Sequence, residues 1–215
     1  PLLPDEHLYS WLVRLYWLSG YPSIQSFLRS LEISSKFLKT QKIFGDSLIQ
    51  AAHLGAKGRC FKDVMMKHAP MAIWSISLPN LLDTSVSLEQ SLMSNTHMNE
   101  QQMFSFGTDW KSCPMCREAD LSEHGSSYWH ATHQLPSIIH CVKHRMRLES
   151  ALDPVKDLNV ALLPHQVKQW KASEYEGHDS IHAWEYFFLG FQVRCILSTT
   201  YPIKRLHESL YQSFH

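Results

Sequence analysis

The chain has 215 residues, enough to bury a core in one large domain or two modest ones. Hydrophobic residues make up 44% and charged residues only 19%, a globular composition in which no run reaches the ~18 apolar residues of a membrane-spanning helix. Twenty Lys and Arg balance twenty Asp and Glu, which excludes a strongly basic, sequence-independent nucleic-acid coat and leaves room for a local patch.

Pro4-Asp5-Glu6 opens the first helix, with Asp5 the expected N-cap and acidic side chains suited to this end of the dipole. Leu8, Trp11, Leu12, Leu15 and Leu18 share one face, and Tyr9, Val13, Tyr16 and Trp17 carry the apolar surface round most of the circumference. Such a helix is expected at the centre of its domain. Gly20 closes it and Pro22 prevents continuation. A second helix starts at Pro22-Ser23 with the stripe Ile24, Phe27, Leu28 and Leu31, and Ser34 or Ser35 caps a turn carrying Phe37 and Leu38. Gly45-Asp46 begins the next helix, with Leu48, Ile49, Ala52 and His53 facing inward and Gly55 and Gly58 marking its end. Residues 61–69 read as a further short helix, from Phe61 through Val64 and Met65 to His68, and Cys60 reads as a small core residue.

Helices of this length joined by short turns make either a helix-turn-helix array or an ordinary helical core. In the first case Lys36, Lys39, Lys42, Lys57 and Arg59 are candidate phosphate contacts; in the second they are a solvated face. Pro70 then interrupts the pattern, and Met71, Ile73, Trp74 and Ile76 form an apolar patch. Residues 83–109 are richer in Ser, Thr, Asn, Gln and Met and read as a connection.

Cys113-Pro-Met-Cys116 and Cys141-Val-Lys-His144 are two ligand pairs with the same internal spacing, separated by residues 117–140. Paired steps of this kind wrap a tetrahedral Zn²⁺, and four protein ligands leave no open position, so one structural zinc is expected. The competing reading is a reduced, buried cysteine pair beside two surface residues. The odd count of five cysteines fits metal ligation and a reducing intracellular compartment better than a disulfide framework. Between the pairs, Gly125 permits a turn with positive φ, and Leu135-Pro136 favours an extended run into Ile138 and Ile139. Tyr128 and Trp129 are expected to cover the site. His130, His133 and His140 are chemically able to act as alternative ligands or as hydrogen-bond partners.

After Leu148, Asp153-Pro154 signals a turn and Pro164 opens a short helix through Trp170. Asp179 or Ser180 caps a longer helix with Ile181, Trp184, Phe187, Phe188, Phe191 and Cys195 near one face. Pro202 begins the last helix, carrying Lys204, Arg205, Leu206 and Leu210. This final pair is either a plain helical hairpin or another helix-turn-helix with Lys204 and Arg205 on DNA. The expected fold is mainly α: a helical domain over residues 1–109, an embedded zinc-finger unit over 110–150 and a C-terminal helical segment over 151–215. No Walker A run and no HExxH motif occur; Tyr211 stands where the second His after His207-Glu208 would be.

The run CPMCREADLSEHGSSYWHATHQLPSIIHCVKH, with the opening PDEHLYSWLVRL, resembles the TniQ/TnsD family of Tn7-like transposon target-selection proteins. The resemblance rests on Pro4, Asp5, Glu6, Leu8, Tyr9 and Ser10, on Cys113, Pro114 and Cys116, on Tyr128, Trp129, Leu135 and Pro136, and on Cys141 and His144. Val142 stands where the family often has proline, and Arg145 where glycine is frequent. The resemblance implies a non-enzymatic adaptor that links a target-recognition element to an AAA+ ATPase regulator of transposition. That element is a DNA attachment site or an RNA-guided CRISPR effector complex. The alternative is a direct, sequence-specific DNA-binding protein using helix-turn-helix elements. A homodimer and a bacterial cytoplasmic, nucleoid-associated setting are further expectations.

Overall fold

The computed structural model describes residues 1–33, 46–69, 109–135, 138–152 and 161–172. Four helices occupy the first part: α1 (Leu8–Ser19), α2 (Ile24–Ser30), α3 (Asp46–Ala56) and α4 (Phe61–His68). The second part holds β1 (Lys111–Ser112), α5 (Pro114–His124), a 3₁₀ turn at Thr132–Gln134, β2 (Glu149–Ala151), a 3₁₀ turn at Pro164–Gln166 and β3 (Trp170–Ala172). The strands form a small antiparallel sheet in the order β1-β2-β3, with Lys111 opposite Ser150 and Ser150 opposite Lys171. The described residues therefore form the mainly helical fold expected.

α1 is central over its first half, where every residue from Leu8 to Val13 is buried, and it packs on α2 and α3. Its far end departs from expectation: Leu18 is 75% exposed and Trp17 52%, because the helix runs past the neighbours that bury its first turns. The N-cap also differs. His7, not Asp5, caps α1, its Nδ1 accepting the Tyr9 N–H at 3.1 Å. Residues 5–7 are drawn into extended pairing with 129–131, where Glu6 and His130 form an antiparallel bridge, so the helix starts later than the acidic pair suggests.

Ser23 caps α2, its Oγ accepting the Ser26 N–H at 3.2 Å, and Ile24, Phe27 and Leu28 are buried as the stripe predicts. In α3, Leu48, Ile49 and Ala52 lie inside. His53 does not: it is exposed and stacks on Phe61 at 4.5 Å, which holds the outer edges of α3 and α4 together. Gly55 sits within the last turn of α3, where an added Cβ would lie 3.1 Å from Leu2 Cδ1, so a bare backbone lets the N-terminal segment approach. Cys60 is exposed, not core, because it occupies the N-cap of α4 ahead of that helix's buried face. His68 is buried and its Nδ1–H donates to the Glu6 carbonyl at 2.7 Å.

The helix expected after Pro164 is one 3₁₀ turn; Leu163 N–H donates to Gln166 Oε1 at 2.8 Å and the chain then extends into β3. Among the described residues one core runs from Leu2 to Val167, with Trp110 and Trp129 inside it. The turn at Phe37-Leu38, the patch Met71 to Ile76 and the helices expected after Asp179 and Pro202 lie outside the described residues.

Candidate metal centre

Pro114 at the first position of α5 starts the helix without wasting a donor, and places Cys113 at its N-cap and Cys116 in its first turn. Both sulfurs thus lie at the positive end of an 11-residue helix, a setting that favours thiolate. The second pair sits on a hairpin turn. Cys141 N–H donates to the Met146 carbonyl at 2.7 Å, Arg145 N–H returns to the Cys141 carbonyl at 2.8 Å, and His144 N–H points at Cys141 Sγ at 3.4 Å. Closing that turn needs a left-handed residue, and Arg145 supplies it at φ +57°.

The four side chains meet as their spacing predicts. Their ligand atoms all lie within 4.8 Å of one another. His144 Nδ1 is 3.5 Å from Cys113 Sγ, 3.3 Å from Cys116 Sγ and 3.7 Å from Cys141 Sγ, and Cys116 and Cys141 are 3.6 Å apart. Bonds of about 2.3 Å to sulfur and 2.0 Å to nitrogen put tetrahedral ligand atoms roughly 3.6–3.8 Å apart, so the cluster is shaped to hold a metal ion. The cysteines are buried and His144 is half-buried. Hydrogen bonds from the Cys116 and Cys141 thiols hold the Cys113 sulfur well below the ordinary thiol range, while those same contacts push Cys116 and Cys141 up. A divalent cation would favour the thiolate form of all three cysteines and, at +2 against −3, would leave the site with one net negative charge.

The other histidines are placed elsewhere. His130 Nδ1 contacts Asp5 Oδ2 at 3.2 Å and Nε2 contacts Asp120 Oδ2 at 3.0 Å. Burial opposes its charge, but the two carboxylates outweigh that and raise its pKa to about 9, so it is an imidazolium clamped between α5 and the N-terminal segment. His133 is completely buried, and burial pushes its pKa well down; its Nε2 is 4.0 Å from Cys116 Sγ. His140 pairs with Arg147 in the hairpin ladder.

Trp129 joins the two halves of the molecule. Its N–H donates to Ser10 Oγ at 2.8 Å, its carbonyl accepts from His7 N–H at 2.8 Å, and its indole N–H donates to the Leu162 carbonyl at 2.9 Å. Asp5 adds bonds to the backbone and hydroxyl of Thr132, and Ala131 N–H donates to the Asp5 carbonyl at 2.7 Å. Glu6, wholly buried, binds Arg14 through both carboxylate oxygens at 2.8 and 2.9 Å. The opening PDEHLYS and the later YWHATH are thus two sides of one seam. Tyr128 stacks on His130 at 4.5 Å, and Leu135 is buried with an extended backbone.

Several residues of the site have no signal in the sequence. Lys111 is half-buried, its ammonium donating to the Leu135 and Ile138 carbonyls at 2.7 and 2.6 Å, and desolvation lowers its pKa to about 8. Arg117 lies 4.0 Å over the Trp170 ring and bonds Glu149 at 2.5 Å, tying α5 to the sheet. Asp120 and Lys111 read as surface charges until their partners are known. Of the candidate phosphate contacts, Lys57 and Arg59 lie exposed on the turn between α3 and α4. Lys36, Lys39, Lys42, Lys204 and Arg205 lie outside the described residues, as does Pro136.

A family model described as TniQ matches residues 1–148. No curated protein matches the chain. No helix among the described residues is long and apolar enough to cross a membrane. The matched span takes in α1, the metal cluster and the seam that joins them, and it covers more than half of the 215 residues: the chain belongs to the TniQ family.

Proposed function

We propose that the chain is a target-site selection adaptor in Tn7-like transposition, which links a recognition element to an AAA+ regulator. Membership of the TniQ family carries a non-catalytic, transposition-related role. The single observation behind the adaptor reading is that the family match spans both the helical opening and the metal unit, which the Asp5–Thr132 and Ser10–Trp129 bonds fuse into one scaffold. In this reading Cys113, Cys116, Cys141 and His144 hold one structural Zn²⁺. Three thiolates with one imidazole suit zinc, and when bound the ion would offset two of the three thiolate charges and staple α5 to the hairpin. Tyr128, Trp129 and Leu135 belong to the scaffold around it in this reading. Neutral overall charge suits protein partners, and Trp17, Leu18 and Tyr21 present exposed apolar surface at the end of α1.

The recognition element is a DNA site or an RNA-guided CRISPR effector complex. The test is co-purification of the zinc-loaded chain with the AAA+ regulator and with the effector complex encoded beside it. Stable capture of the regulator is expected. Failure to bind either, with tight binding to one DNA sequence, overturns the adaptor reading.

Direct DNA readout is the second reading, favoured by one feature. α3 and α4 are joined by the four residues 57–60, a helix–turn–helix spacing, with Lys57 and Arg59 exposed on the turn. Replacing both by Ala would weaken such binding and flatten its salt dependence by about two charges.

A further inference from the structure

His133 lies between the two networks around it, its ring 4.8 Å from that of His130. It is fully buried, and among the described residues its Nδ1 has no hydrogen-bond partner. Its Nε2 faces Cys116 Sγ at 4.0 Å. The 3₁₀ turn Thr132–Gln134 holds it in place, with Gln134 tied to the Lys111 and His130 carbonyls at 2.9 Å each. A neutral imidazole carries one N–H, on one nitrogen or the other. A buried N–H without an acceptor is more costly than a buried lone pair without a donor. The proton therefore belongs on Nε2, where the Cys116 sulfur is the acceptor.

We propose that His133 is a positioning residue for the metal centre, its Nε2–H donating to the Cys116 thiolate and so setting how tightly the cluster holds its ion. This rests on the reading of Cys113, Cys116, Cys141 and His144 as metal ligands. A bond donated to a coordinated thiolate draws off part of its excess charge. It lowers the sulfur's basicity, fixes the side chain's direction and hinders protonation that would release the metal. His133 does not need to coordinate: His144 Nδ1 already lies within 3.3–3.7 Å of all three sulfurs.

The experiment uses the full chain. In the ¹⁵N-labelled, zinc-loaded protein, the His133 ring is expected to show a protonated, slowly exchanging Nε2 and an unprotonated Nδ1. A proton on Nδ1 overturns the proposal without any variant. Cobalt(II) then serves as a coloured probe. His133→Phe keeps the ring and removes the donor; it should weaken metal binding roughly 10–100-fold and move the sulfur-to-cobalt charge-transfer band to lower energy. His133→Gln, which retains an N–H, should restore part of both. Unchanged affinity and spectrum in His133→Phe overturn the proposal. A wild-type chain that takes up neither zinc nor cobalt overturns the metal reading itself, and is distinguished by metal content before any variant is made.

Discussion

At the scale of single residues, two side chains hold unusual states for identifiable reasons. Arg145 takes a left-handed backbone at φ +57°, a position where glycine is frequent in the family it resembles. A non-glycine residue there costs about 1–2 kcal/mol, against which glycine loses about 0.5–1 kcal/mol of chain entropy. Arg145→Gly should therefore stabilise the metal-loaded chain by up to about 1 kcal/mol in urea unfolding, and Arg145→Ala should not; a loss of stability in the glycine variant would show that the guanidinium contributes more than the backbone costs. His130 is the second case. Its pKa of about 9 lies above the ordinary value of 6.5, through the facing Asp5 and Asp120, with Tyr128 stacked on it and the His133 ring tilted alongside. A raised folded-state pKa gives stability that is complete below pH ~6.5 and is lost as pH rises through about 9. The shift corresponds to at most about 3 kcal/mol. Unfolding of the metal-loaded chain from pH 6.5 to 9.5 should show that decline, and His130→Gln should remove it. Equal slopes in the two proteins would mean the pair of carboxylates does not hold the proton.

At the scale of elements, legibility follows how much apolar surface each one buries. α1 to α4 declare themselves through stripes and end signals such as Ser23 and Gly20, and each lies within a few residues of where those signals put it. α5 has no stripe, since only Cys116 and Asp120 are buried along it; it forms because Pro114 starts it and Gly125, at φ +69°, ends it. Strands of two or three residues are too short to show alternation, so the sheet is silent in the sequence. The cluster of Cys113, Cys116, Cys141 and His144 is legible because metal-binding chemistry dictates spacing. Asp5 was misread for a converse reason: its local propensity favours a cap, but the seam with Thr132 and His130 offers it more bonds. That seam can be tested. Ser10→Ala removes the acceptor of the buried Trp129 N–H and should cost about 1–3 kcal/mol. A thermal melt that moves by less than a degree would mean water or a shifted backbone satisfies that donor.

At the scale of the whole molecule, the metal unit and the helical domain share one core. Trp110, beside β1, packs its ring against Tyr9 of α1 at 4.7 Å and against Trp129 at 5.1 Å, and Trp129 meets Trp170 of β3 at 5.9 Å. A free-standing finger would lose its ion and leave the helices intact. Here α1 and the segment leading into it are anchored through Asp5, His7 and Ser10 to Trp129, Ala131 and Thr132, all between the two ligand pairs. A structural zinc contributes on the order of 10 kcal/mol, comparable with the ~5–15 kcal/mol net stability of a whole domain. Removing the ion with a chelator, or replacing Cys141 by Ser, should therefore abolish most of the helical circular dichroism, not just the part due to α5. Hydrogen exchange at Leu8 to Val13 should become as fast as in the metal unit. Retention of that protection after the metal has left would show that α1 folds on its own, and that the seam is a contact between two independent bodies.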